Sequence, residues 1–329
     1  MLLFFIISGF ILALPFALQH QEGAERVSLR AYFLRRLTRL EPPYLLTLLG
    51  LVVLEIAAAS HHIAGRASAP TEILRHGAAS ALYLHNVIFQ APSTINPPAW
   101  SLEIEVQFYV IVPLLAAVFR IRSALIRRSV VIAGTVISIA TGLFVGKAHP
   151  WVSLSIVGQL QFFLVGFLLA DFYLFSGLRT AVRSASWDCV ALVAWLLVFV
   201  LWQRSSMAMA VLPFVALIAF VAVFRGRLTN RLFSNPWITT VGGMCYSIYL
   251  VHFEMIAAVG RGMQRVLPVT GVLWQDFLLL GLPVLAVTLL ACLAFFRFIE
   301  RPCMDPNWPK RLAGSFSRAL SVRGAATNT

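Results

Sequence analysis

Nine apolar stretches, each near the length needed to cross a bilayer, leave this chain few folds to choose from. They run over residues 2–18, 44–59, 102–119, 129–146, 151–175, 188–202, 207–224, 237–259 and 274–299. In hydrocarbon each backbone N–H and C=O has to be paired within the protein, so apolar runs of this length are expected as helices that span the membrane. The rest of the composition agrees: 60% of the 329 residues are hydrophobic, only 12% are charged, and the mean hydropathy is +0.85. The expected fold is an all-α, polytopic transmembrane helical bundle of about nine spans. It forms one domain over residues 1–309, followed by a basic, small-residue-rich tail over 310–329 that is expected to be disordered or to lie on the membrane surface. Residues 1–18 carry no basic leader region or small-residue cleavage site, so they are read as a span and not as a secretion signal.

The formal charge of +13 does not point to nucleic acid, because the basic residues fall in short runs between apolar stretches. With nine spans, 20 of the 26 Lys and Arg collect on one side of the membrane and 6 on the other. A further apolar stretch, 78–89, is about a dozen residues long and contains His85 and Asn86. If it also crossed, the split would fall to 9 against 17. It is therefore expected as a re-entrant or surface helix, with the N-terminus outside and the C-terminus in the cytoplasm. Trp151, Trp202, Trp237 and Trp274 sit at span ends, as an aromatic belt would. The four cysteines show neither CxxC nor metal-ligand spacing, and no metal site is expected.

Polar residues inside such spans are costly, by the order of a few kcal/mol for an ionised Glu, and point to buried contacts or chemistry. Glu103 and Glu105 enter the apolar run 96–115 soon after Pro97-Pro98, a pair suited to starting a helix. Two residues apart, they cannot share one helix face, so only one can sit at the centre of a site. Glu105 and Gln107 need polar partners there. A hydrogen bond between helices would supply them, and so would a site in which a buried Glu works as acid or base. Trp100 and Tyr109 fit either packing or a pocket wall. Over 27–43, Ser28 can cap an interfacial helix with Leu29, Phe33, Leu37 and Leu40 on one face, and Arg35, Arg36 and Arg39 form a compact cationic patch. Lipid headgroups would fit that patch, as would a polyanionic cosubstrate held by guanidinium forks. Tyr246, Tyr249 and His252 make a polar stripe on the eighth stretch. Glu300 and Arg301 end the ninth, and a local ion pair between them is expected.

Taken in order, these residues resemble the membrane-bound acyltransferase-3 family of bacterial O-acyltransferases. The resemblance rests on FFIISGFIL over 4–12, Arg36-x-x-Arg39 with Pro42-Pro43-Tyr44, WSLEIEVQFYVIVP over 100–113, YSIYLVH over 246–252, and Glu300-Arg301-Pro302. It implies transfer of an acyl group, acetyl above all, from acetyl-CoA or another acyl-CoA to a hydroxyl of a carbohydrate or other cell-envelope or small-molecule acceptor, with no permanently bound cofactor, in the bacterial cytoplasmic membrane. It implies that Arg36 and Arg39, with Arg35 beside them, serve the cosubstrate's phosphates. Glu105 and Tyr109, with Trp100, Gln107 and Tyr249, would line the transfer pocket. Family members usually begin with one more span carrying a basic residue and, about ten residues on, a catalytic His. None of the seven histidines here matches that position. The chain is therefore expected to be short at its N-terminus through a misplaced start, a gene fragment or real loss, and to insert without catalysing transfer unless Glu105 or His252 supplies the base. The rival reading is a non-catalytic membrane protein, a transporter, flippase or remnant, that uses the same polar residues for passage or packing.

The charge asymmetry predicts that single cysteines at Arg122 and Arg227 label from the cytoplasmic side and cysteines at Lys147 and Arg265 from outside. Labelling of positions 122 and 147 from the same side would overturn the nine-span arrangement.

Overall fold

The computed structural model describes residues 1–60, 69–202, 205–267, 269–305, 307, 308 and 311. Arg66, Arg204, Lys310 and the tail from 312 onward, including Arg318 and Arg323, lie outside the described residues. The described chain is helical: α1 (Leu2–Gln21), α2 (Leu29–Ser60), α3 (Pro70–Ala81), α4 (His85–Phe89), α5 (Trp100–Leu115), α6 (Ala124–Ala148), α7 (Ile156–Phe175), α8 (Ala185–Leu201), α9 (Ser206–Arg225), α10 (Arg227–Phe233), α11 (Pro236–Gly243), α12 (Cys245–Val266) and α13 (Leu273–Cys303). Among the described residues no strand forms, apart from an isolated bridge between Ser184 and Gly226.

All nine apolar stretches are helical, but they do not all meet the length of a span. Seven helices are long and apolar enough to cross: α1, α2, α5 with its flanking 3-10 turns (Pro97–Arg120), α6, α7, α9 and α13. An eighth span forms only if α11 and α12, bent by 70° at their break, count as one. The ninth, α8, has 17 residues, about 25 Å at 1.5 Å per residue against a hydrocarbon core of about 30 Å. The stretch 78–89 is not one helix. It covers the end of α3, a reversal at Tyr83 with φ +56°, and the five-residue α4.

The helix expected over 27–43 and the span after it are one continuous helix, α2, which runs through Pro42 and Pro43. A proline has no N–H to give the carbonyl four residues back, so Pro42 leaves Thr38 O without its helical donor. The indole Nε1 of Trp308 donates to that carbonyl at 2.9 Å, and two residues on the Tyr246 hydroxyl donates to Leu40 O at 2.8 Å. Proline inside a membrane helix is tolerated when a neighbouring side chain takes up the released carbonyl, as Trp308 does here.

The chain divides into two compact units, Met1–Leu29 with Ala78–Thr240, and Arg30–Gly77 with Val241–Thr329. In the first, α7 is the central helix: 72% of its most apolar window is buried, and it packs against α1, α5, α6 and α9. Phe163 stacks on Phe108 at 3.9 Å and on Phe5 at 4.7 Å, joining α7 to α5 and α1. Asp171 of α7 is 2% exposed and accepts from Arg127 and, at 2.6 Å, from Arg128, both in the first turns of α6. Arg127, counted from sequence among the residues at the membrane edge, is turned inward and also donates to Ile121 O at 2.8 Å. In the second unit α12 packs against α13, which carries π-helical turns at Phe277–Gly281 and Phe296–Glu300.

α1 and α7 touch backbone to backbone. A Cβ on Gly166 would lie 2.3 Å from Ile6 O and 2.5 Å from Phe10 N, and one on Gly9 would lie 2.2 Å from Phe163 O. Small residues allow this approach, and neither helix can yield without moving its axis. Gly166→Ala is accordingly predicted to destabilise the protein by about 1–3 kcal/mol, the usual cost of overpacking. Gly142→Ala, where a Cβ meets nothing within 4 Å, should be neutral or stabilising by up to about 1 kcal/mol. Thermal unfolding of the detergent-solubilised variants checks the pair, and equal melting temperatures would refute the backbone contact.

Candidate active site

Pro97 and Pro98 open a 3-10 turn that runs directly into α5, so Trp100 to Tyr109 form the first turns of a span. Both carboxylates of this segment point inward, towards different helices. Glu105, half-buried, accepts from the Ser8 hydroxyl of α1 at 2.9 Å and from the Tyr109 hydroxyl one turn along α5 at 2.5 Å. Ser8 can come this close because the next residue, Gly9, lets α1 settle against α7. The outcome is a carboxylate with two hydroxyl donors on one oxygen, inside an aromatic and aliphatic bundle. Gln107 Oε1 accepts from the Ile156 backbone N–H at 3.0 Å and so ties α5 to the start of α7. Trp100 packs edge-on against Phe5 at 6.4 Å.

Glu103 is the more deeply buried acid, at 0% exposure. Its Oε2 accepts the backbone N–H of Asn86 at 2.8 Å, and the His85 N–H also bonds to the carboxylate. The Asn86 amide donates to Trp100 O at 2.8 Å and to Leu154 O at 3.2 Å. Glu103 and Asn86 together bolt α4, the start of α5 and the 3-10 turn Pro150–Leu154 to one another. Glu103 thus serves to fix the start of α5, and Glu105 is the acid with the more open surroundings.

The second unit brings three separate sequence motifs to one place. Glu300, fully buried, accepts from the Ser247 N–H at 3.0 Å and from the Ser247 hydroxyl at 2.5 Å. The cation whose field acts on it is Arg39. The local Glu300 to Arg301 pair expected from sequence does not form: Arg301 is exposed, and Glu300 faces inward to α12. Arg35 donates from Nε to Ala31 O of its own helix at 3.1 Å, and the Arg36 guanidinium lies over the Tyr32 ring at 5.8 Å. Tyr249 stacks on Tyr246 at 6.4 Å with the rings 13° apart. His252 Nδ1 lies 2.8 Å from Ile248 O and 3.0 Å from Tyr249 O. Since a carbonyl can only accept, Nδ1 carries the proton and the lone pair of the neutral ring is on Nε2, the atom available to act as a base. A cavity of about 790 Å³ in this unit is lined by Pro42 and Leu46 of α2 and by Arg297, Arg301 and Trp308 beyond the π-turn of α13.

Of the residues singled out from sequence, Glu105 and Tyr109 are therefore in direct contact, and Trp100 and Gln107 lie on the same helix in other contacts. The field of Arg39 acts on Glu300 of the ERP motif. Glu105 and His252 belong to different compact units. Sequence reasoning missed Ser8 and Ser247 as carboxylate partners, and Arg297 as a cavity residue. A hydroxyl beside glycine in an apolar run was the one available sign for Ser8.

The family model of an acyltransferase domain, that of acyltransferase 3, matches residues 1–297. No curated protein and no solved structure gives a match. The match takes in Ser8, Glu103, Glu105 and Tyr109 and stops short of Glu300, and it covers all of the helices long enough to cross a membrane except the end of α13. The chain belongs to the acyltransferase 3 family and is an integral membrane acyltransferase.

Proposed function

We propose that this protein takes an acyl group, acetyl in the first instance, from acyl-CoA at the cytoplasmic face of the bacterial inner membrane. It passes the group to a hydroxyl of a carbohydrate or other envelope acceptor. The observation that carries this reading is the Ser8, Glu105 and Tyr109 cluster, a carboxylate held by hydroxyls at the start of a span in a chain of this family. In the step itself the acceptor oxygen bonds to the thioester carbonyl carbon and the C–S bond breaks. The acceptor proton passes to a base on the protein and from there to the departing CoA thiolate. Glu105 is our first choice as that base, with Tyr109 orienting it, and His252 through Nε2 is the alternative.

The donor's phosphates are assigned to the arginines of the second unit, Arg36 and Arg39 with Arg35 nearby, supported by Arg297 and Arg301 at the 790 Å³ cavity. Forked guanidiniums suit phosphate oxygens better than an ammonium does. Because the field of Arg39 also acts on buried Glu300, its removal alters the fold's electrostatics as well as the donor site. Arg36 is the cleaner probe. On this reading the C-terminus is cytoplasmic, and Trp100 and Gln107 are assigned to the wall of the acceptor pocket.

The direct test follows radiolabelled acetyl from acetyl-CoA into alkali-labile esters in membranes carrying the protein. Glu105→Gln is predicted to lower turnover by about a hundredfold or more, and Tyr109→Phe by less. Loss in His252→Ala with Glu105→Gln unaffected would move the base to His252, and unchanged turnover in both would remove the assignment altogether.

Arg36→Ala should weaken acyl-CoA binding about tenfold to a hundredfold, the value of one charge-assisted phosphate contact of about 1.5–3 kcal/mol. Arg36→Lys should restore it only in part. Unaltered acyl-CoA affinity in Arg36→Ala, at normal protein level, would leave the patch to lipid headgroups.

A further inference from the structure

In the first unit the start of α8 and the end of α9 are joined. The Ser184 N–H donates to Arg225 O at 3.0 Å, and residues 184 and 226 form a single parallel bridge. From the first turn of α8, Asp188 accepts the backbone N–H groups of Arg227, Leu228 and Thr229 at 2.9–3.1 Å and the Thr229 hydroxyl at 2.9 Å. The short helix α10 is thereby fastened across the junction. Since α9 is a span, its last residue, Arg225, marks where the chain leaves the hydrocarbon, and α10 lies at headgroup depth.

A concavity of about 660 Å³ opens here, lined by Arg183, Arg227 and Arg231 together with Asn230 and Asn235. Among the described residues, none of these three guanidiniums has an acidic partner. Asp188 is the acid at the junction, and both its oxygens are occupied by the α10 backbone. Arg227 and Arg231 are four apart on one helix, a spacing at which like charges repel. The arrangement thus holds three cations around a hollow and lacks only the anion. Bare apolar side chains flank its lining: Val182, next to Arg183, is 91% exposed, and Trp237, next to Pro236, 82%. Arginines suited to a phosphate, flanked by exposed Val182 and Trp237 at the end of a span, match an amphipathic anion better than a free one.

We propose that this hollow is a binding site for the phosphodiester headgroup of an anionic phospholipid, whose glycerol and upper acyl chains lie against the flanking apolar side chains. It is separate from the residues assigned to acyl transfer and does not depend on that assignment.

Native mass spectrometry of the full chain, delipidated in detergent and offered equal palmitoyl-oleoyl phosphatidylglycerol and phosphatidylcholine, tests it. The wild-type protein should keep a phosphatidylglycerol adduct in preference to phosphatidylcholine. At roughly fivefold per interfacial arginine, R183Q/R227Q/R231Q should lose that preference by about a hundredfold, and R183K/R227K/R231K should keep a weakened one. An undiminished preference in the glutamine variant would overturn the site. So would displacement of the phosphatidylglycerol by an equal concentration of inorganic phosphate, which would make the hollow a site for a soluble anion. Should the triple variant fail to fold, R231Q alone is expected to cost about fivefold, and no change in it would also overturn the proposal.

Discussion

The buried carboxylates of this protein all obey one constraint: in a medium without water, a charged or polar group stays only where another part of the chain comes to meet it. Glu103 is met by the backbone of α4, Glu105 by a hydroxyl of α1, Asp171 by two arginines of α6, and Glu300 by Ser247 of α12. Each acid therefore acts as a cross-link whose position is set by chemistry, whereas the apolar faces around it would pack in several registers. Lipid tails are as apolar as leucine and supply little force between helices, so these polar contacts and the close approach at Gly9 and Gly166 specify which helices are neighbours.

Two acids on one helix came to different ends for the same reason. Glu103 and Glu105 are two residues apart, so their side chains leave α5 on different faces. One faces α4 and its backbone donors, where every bond it makes fastens structure together. The other faces α1 and meets the hydroxyls of Ser8 and Tyr109, groups able to take and give protons. The difference in partners, backbone amides against hydroxyls, is what separates an anchoring carboxylate from one fit for chemistry.

Much of the architecture is legible in the hydropathy of the chain, because the hydrocarbon imposes both length and helicity on any apolar run. What escaped is what depends on distant partners. Sequence reasoning divided an interfacial helix over 27–43 from an apolar stretch over 44–59, yet α2 runs through both prolines, and Trp308, 270 residues away, takes up the carbonyl that Pro42 releases. Glu300 and Arg301 are adjacent in sequence and suggested a pair, but burial rewarded the partner on α12 and left the arginine outside. Glu105 was recognisable as an acid needing company, while Ser8, 97 residues earlier, was not recognisable as that company. The turn that breaks 78–89 at Tyr83 is likewise invisible to hydropathy, which sees only an apolar dozen.

The tether on α2 also sets an order in time. Its proline-released carbonyl at Thr38 is satisfied by a residue among the last of the described chain. At the usual synthesis rate of about 5–20 residues per second, roughly 15 to 50 seconds pass between the making of the two. Throughout that interval the second helix sits in or at the membrane with this carbonyl unmet, and its contact with Trp308 forms only once that residue has been made, long after the helix itself.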